Sequence, residues 1–199
     1  MLLIIIQISN NLLLLVFPLY YNITMSILAI IGGSGLYNLK KLGDSKEHEI
    51  QTAWGKPSDT IMELNTSGKI TYFLPRHGRG HNINPTNINY RANIDALKQL
   101  GVTDIVSISA VGSLKKEIKP GSFVIINQYI DKTFKRANTF FDKDLIAHVS
   151  LAKPNSMSLE KICSEILIDR NYDYHRNITY VAIEGPQLST IAESQSHHI

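Results

Sequence analysis

Cysteine is nearly absent: Cys163 stands alone among 199 residues. One thiol excludes an intramolecular disulfide and offers no cysteine pair to a metal, which suits a reducing, cytoplasmic setting. A dominant charge is also missing. The 20 Lys and Arg are interspersed with 17 Asp and Glu, for a net charge of +3. That gives no electrostatic footprint for nucleic acid, although a local basic cluster can still hold a small anion. An apolar run of membrane-spanning length is lacking too. The stretch MLLIIIQISNNLLLLVFPLYYNIT at 1–24 contains no Lys or Arg and is broken by Gln7, Asn10 and Asn11. It has neither the positive start nor the small-residue cleavage site of a secretory leader, and no unbroken run reaches the roughly 20 residues of a membrane helix. Residues 1–24 are therefore read as an extension outside the fold, with a cryptic secretion signal or anchor as the alternative, and residues 25–199 as the domain.

What the chain does have is enough apolar material for one core, with 44% hydrophobic residues. The run 26–31 is continuously apolar and ends in Gly32-Gly33-Ser34-Gly35, the pattern of a strand buried on both faces that leads into a tight turn. Further strands are predicted at 70–74, 105–109, 123–126 and 179–183. Between them, Thr86 is a candidate N-cap for a helix carrying Tyr90, Ile94 and Leu97 until Gly101 stops it. Leu159, Ile162, Cys163, Ile166 and Leu167 form a second amphipathic stripe, which makes Cys163 a buried structural thiol. Alternating strands and helices predict an α/β fold of three layers, α/β/α, around a central mixed, largely parallel sheet.

The glycine turn fails as a dinucleotide motif, because Asn38 stands where the third glycine of the pattern from Gly33 belongs, and no Gly-Lys-Ser/Thr follows for a phosphate loop. It remains a turn whose amides, with the Ser34 hydroxyl, can cradle an oxyanion. The basic turn LPRHGRGH at 74–81 and the polar strand end at Ser109, Ala110 and Gly112 are two more such features. If the strands are parallel, all three turns lie at one end of the sheet and converge. Convergence favours an anion pocket over a solvated basic loop.

In order and spacing, AIIGGSGL, RHGRGHNINPTNINYRANIDALKQLG, SAVGSLKKEIKPGSFVIINQYIDKT, TFFDKDLIAHVSLAKP and IEGPQLSTIAES resemble the methylthioadenosine phosphorylases of the trimeric purine nucleoside phosphorylase family. The resemblance implies an enzyme: phosphate attacks the anomeric carbon of a purine nucleoside, releasing the base and a sugar 1-phosphate, with phosphate as co-substrate and neither cofactor nor metal. It puts phosphate on Ser34, Arg76, His77 and the Ser109-Ala110 segment, with Arg76 offering a fork of donors and His77 one more. Arg79 and His81 are left as rim or structural residues. His148 is implied near a deeper 5′ pocket. Leu188 stands where relatives often carry a phenylalanine facing the base, and Ser189 where relatives specific for 6-oxopurines tend to place a glutamate.

A hydroxyl can donate to the N1 lone pair of adenine, which a carboxylate would repel, so Ser189 favours an adenine-type base. The expected reaction converts 5′-methylthioadenosine to adenine and 5-methylthioribose 1-phosphate, in purine salvage and methionine recycling. Methylthioinosine, inosine or guanosine are alternative substrates. The family continues beyond the point reached at Ile199, and the aspartate that assists the leaving purine is expected there. The fold is therefore expected to be incomplete at its C-terminus and the chain poorly active, with a non-catalytic remnant as the alternative. Were the chain active, Asp142, Asp144, Glu184 or Glu193 would have to take the leaving-group role.

Overall fold

A computed structural model describes residues 2–7, 26–33, 44–66 and 68–197. The strands are β1 (Leu2–Gln7), β2 (Leu28–Gly32), β3 (Asp44–His48), β4 (Ile61–Thr66), β5 (Lys69–Pro75), β6 (Asp104–Ser109), β7 (Phe123–Asp131) and β8 (Tyr174–Ala182). They form one sheet in the order β3-β4-β5-β2-β6-β1-β7-β8. The run β5-β2-β6-β1 is parallel, and so is β7 with β8. The pairs β3-β4, β4-β5 and β1-β7 are antiparallel, which makes the sheet mixed with a parallel centre.

All five residues of β2 are buried, because helices cover both faces of the sheet at that point. On one face Leu28 and Ile30 join Phe73, Val106 and Ile108 beneath Leu159, Cys163, Ile166 and Leu167 of α2 (Met157–Asp169). On the other, Ala29 and Ile31 join Tyr72 and Leu74 against Ala96 and Leu97 of α1 (Tyr90–Gln99). The period-2 alternation of each strand thus divides one apolar run between two cores, and the three layers follow. Each fully buried Phe, Ile or Leu contributes about 1.5–3 kcal/mol to this arrangement.

Two expectations are corrected. Leu2–Gln7 does not lie outside the fold: its backbone pairs with β6 from Leu2↔Ile105 to Ile6↔Ser109 and with β7 from Ile5↔Ile125 to Gln7↔Phe123. Residues 8–25 lie outside the described residues. The N-cap of α1 is Asn89, whose side chain accepts from the Ala92 N–H, and not Thr86. Pro85–Asn87 forms a separate 3-10 turn capped by Asn84, so the chain bends once more before the helix begins. Gly101 does end α1, in the left-handed region at φ 78°.

Candidate anion and nucleoside site

The parallel register brings three strand ends to one level. Gly32 of β2 lies opposite Pro75 of β5 on one side and Ile108 of β6 on the other. The next residues, Gly33, Arg76 and Ser109, therefore lie side by side at this end of the sheet, and the Arg76 N–H donates to the Gly32 carbonyl at 2.8 Å. The expected convergence is present. Ser34, another of the expected phosphate residues, lies outside the described residues.

The Arg76 side chain bridges these ends. Its Nη1 donates to the Ile108 carbonyl at 3.3 Å and its Nε to Nε2 of His77 at 3.3 Å. A methyl group on Gly33 would stand 3.5 Å from Nη2, so the guanidinium lies against the bare backbone at the end of β2. The turn below is closed by Gly78 N–H to Pro75 O and His81 N–H to Gly78 O, both at 3.1 Å. Gly78 needs to be glycine: its φ is 71°, and a Cβ there would come within 2.7 Å of Asn82 Oδ1.

His77 is buried, its ring 4.5 Å from that of His81. Its Nδ1 donates to the Ile83 carbonyl at 2.8 Å. Burial holds its pKa below the usual histidine range; the Ile83 bond opposes that shift, and Arg76, His81 and Arg136 reinforce it. Arg79 turns away from this cluster. It pairs with Glu47 at 2.8 Å and Asp59 at 3.3 Å, which makes it structural, as expected. Ser109 is half-buried and Ala110 exposed at the end of β6.

A buried carboxylate ties the surrounding segments together. Glu184 accepts from the N–H groups of Phe134 at 2.6 Å and Lys135 at 3.0 Å, and from the Thr86 hydroxyl at 2.9 Å. Arg136 donates through Nη2 to the carbonyls of Ile183 and Glu184 at 3.0 and 2.7 Å, and its guanidinium lies 5.3 Å from the Tyr90 ring centroid. Sequence reasoning named Glu184 only as a fallback for the leaving-group role and gave Arg136 no site role. Glu184 lies inside a stretch that carried the resemblance and Arg136 between two of them, but contacts across 48–98 positions leave no local pattern to read.

The remaining expected residues lie apart from the anion turn. His148 is exposed on the stretch 132–156, which forms neither helix nor strand, so within this chain it lines no deep pocket. Leu188 is 86% exposed and does not act as an apolar wall here. Ser189 beside it is half-buried. The start of the 132–156 stretch is clasped to α1: Arg91 pairs with Asp142 at 2.7 Å and lies 4.4 Å over the Trp54 ring, which meets Phe140 edge-on at 5.5 Å. Three of the carboxylates considered for the leaving-group role are already engaged. Asp142 holds Arg91, Glu184 holds the knot above, and Glu193 completes a capping box with Thr190 on α3 (Ile191–Ser196). Among the described residues no cluster of three or more His, Cys, Asp or Glu could hold a metal ion, and no helix is long and apolar enough to cross a membrane.

Known proteins share the sequence and the fold of this chain. The chain is 49% identical over 169 residues to S-methyl-5′-thioadenosine phosphorylase of Cereibacter sphaeroides, covering 85% of the chain and 58% of the relative. With the enzyme of the same name from Saccharolobus solfataricus it shares 50% over 169 residues, 85% of the chain and 63% of the relative. Among solved structures, a methylthioadenosine phosphorylase from an antarctic soil metagenomic library superposes with a TM-score of 0.82 at 46% identity, over 85% of this chain and 60% of that one. An adenosine/methylthioadenosine phosphorylase mutant of Schistosoma mansoni in complex with adenine gives 0.82 at 34% identity, over 86% and 67%. The chain thus spans about three-fifths of the length of the first curated relatives. Residues 27–199 match the phosphorylase superfamily, and with the strand ends placed as described the chain belongs to that family.

Proposed function

We propose that this chain carries the phosphate-binding part of a nucleoside phosphorylase that converts 5′-methylthioadenosine and inorganic phosphate to adenine and 5-methylthioribose 1-phosphate. The observation that carries the reading is the Arg76 guanidinium lying across three aligned strand ends, against Gly33 and the Ile108 carbonyl. A dianion held there can attack an anomeric carbon that becomes positive as the bond to the purine breaks. A phosphate oxygen forms the new bond to that carbon, and the departing base takes the electron pair and a proton. No electrons pass to a redox carrier, so phosphate serves as co-substrate without a cofactor. Relatives named for methylthioadenosine support the substrate, and the Ser189 hydroxyl favours an adenine-type base over a 6-oxopurine.

The reaction belongs to purine salvage and methionine recycling in the cytoplasm, where the lone thiol of Cys163 stays reduced. The working unit is a trimer. Ile146, Val149 and Leu151 are 80%, 72% and 60% exposed in the single chain, and a second copy covers them. Extending the chain with the remaining segment of the Cereibacter sphaeroides relative tests the reading. The chimera should release adenine from methylthioadenosine in a phosphate-dependent way that Arg76→Ala abolishes. In the same chimera, Ser189→Glu should lower turnover of methylthioadenosine more than that of inosine. A folded chimera that cleaves no purine nucleoside would overturn the proposal.

A further inference from the structure

The two ring nitrogens of His77 have partners whose chemistry fixes its tautomer. Nδ1 lies 2.8 Å from the Ile83 carbonyl oxygen, which can only accept, so Nδ1 carries the proton. Nε2 lies 3.3 Å from Nε of Arg76, a guanidinium nitrogen that can only donate, so Nε2 presents its lone pair. Both assignments describe one species, the neutral imidazole protonated at Nδ1. In that state His77 has no proton left for an anion. The sequence led to the expectation that His77 is a further phosphate donor, and this geometry assigns its only proton elsewhere.

We infer that His77 is a positioning residue: a neutral acceptor that, braced by Ile83, fixes the plane of the Arg76 guanidinium at the anion site. The inference rests on the phosphate-binding role of Arg76 proposed above. Nε on His77 and Nη1 on the Ile108 carbonyl are two points that define that plane, and they set Nη2 against Gly33. An arginine held on two atoms loses less side-chain freedom when an anion arrives than one left to rotate. The surroundings favour the same protonation state. Burial disfavours the imidazolium, and every charged or titratable group acting on the ring is basic: Arg76, His81 and Arg136. Protonation at Nε2 would remove the acceptor for Arg76 and set two cations face to face.

Inorganic phosphate is the probe, with affinity read by calorimetry on the full chain. His77→Ala should weaken phosphate about ten-fold, the worth of one hydrogen bond to a charged group. In an Arg76→Lys background, which keeps the charge but lacks the Nε donor, the same change should alter affinity less than about two-fold, because the bond it removes no longer exists. The native chain, titrated in two buffers of different ionisation enthalpy at a pH where phosphate is dianionic, should take up no proton on binding. That measurement does not depend on whether a variant folds. A ten-fold loss in both backgrounds, or uptake approaching one proton per site, would overturn the positioning role and make His77 a direct donor. Phosphate binding that Arg76→Ala leaves intact, or no binding at all, would instead sink the anion-site reading and this inference with it.

Discussion

Arg136 grips Glu184 at both ends of the residue: its Nη2 donates to the Glu184 carbonyl at 2.7 Å, while its Nε lies 3.5 Å from the carboxylate. The carboxylate also accepts from two backbone N–H groups and a hydroxyl, so it is fully engaged in its charged form. The Phe134 N–H is the largest cause, followed by Lys135, Thr86 and Arg136, in bringing its pKa from an ordinary 4.5 down to about 2 against the cost of burial. A depressed carboxylate stabilises the fold fully above its unfolded value and loses that contribution as pH falls through the folded one. Thermal midpoints of the native chain should therefore fall steeply between about pH 4.5 and pH 2. Glu184→Gln should lower the midpoint at neutral pH and flatten that acid limb. An unchanged limb would show that other carboxylates dominate acid unfolding.

Phosphate should protect the folded chain from heat, since a ligand that binds only the folded state stabilises it by about 2.7 kcal/mol at a hundred times its dissociation constant. Arg76→Ala should remove most of that protection, because it removes the side chain that crosses the three strand ends. Lys161→Ala is the control, on an exposed side chain of α2 far along the sequence from these turns. Equal protection in native and Arg76→Ala chains would show that phosphate binds elsewhere.

Oligomerisation should depend on the exposed apolar stretch. Ile146 is 80% exposed, so a lysine there disturbs no packing within the chain. In a trimer the same lysine would place a charge in an apolar contact. Sedimentation should show Ile146→Lys shifted to smaller species, with monomer secondary structure retained. A trimer that persists would put the interface on another surface.

Cys163 should resist thiol reagents until the chain opens. It is fully buried on the inner face of α2, and burial pushes its thiol up to about 12, so almost no thiolate exists at neutral pH. Labelling should follow the global unfolding rate and be slowed by any ligand that stabilises the fold. Fast labelling in native buffer would mean that α2 lifts from the sheet on its own.

The residues that could be read ahead of the structure are those whose partners share their own element. Continuous burial at Leu28, Ala29 and Ile30, the stripe through Leu159 and Cys163, and the stop at Gly101 are all local patterns with one physical cause each. Parallel strands then aligned the turns at Gly33, Arg76 and Ser109 without any long-range guess. The exposed edge strand β3, DSKEH, has no apolar alternation to announce it and depends on its antiparallel pairing with β4. Thr86 illustrates the opposite failure. A hydroxyl near a helix start looks like a cap, but Glu184 lies 98 positions away and claims its hydrogen bond, while Asn89 caps the helix. His77 was named through the resemblance, but its tautomer could not be read ahead, because only the positions of Ile83 and Arg76 fix which nitrogen holds the proton.

The clasp of Arg91, Trp54 and Phe140 has a spectroscopic consequence. Trp54 is the sole tryptophan of the chain, so the red edge of its intrinsic fluorescence reports one environment only. That indole is shared between a guanidinium on α1 and a phenyl ring at the start of the irregular 132–156 stretch. Its emission maximum and quenching by small solutes therefore follow the docking of that stretch, separately from the sheet. Unlabelled protein thus carries its own gauge of whether the His148 segment is held down or released.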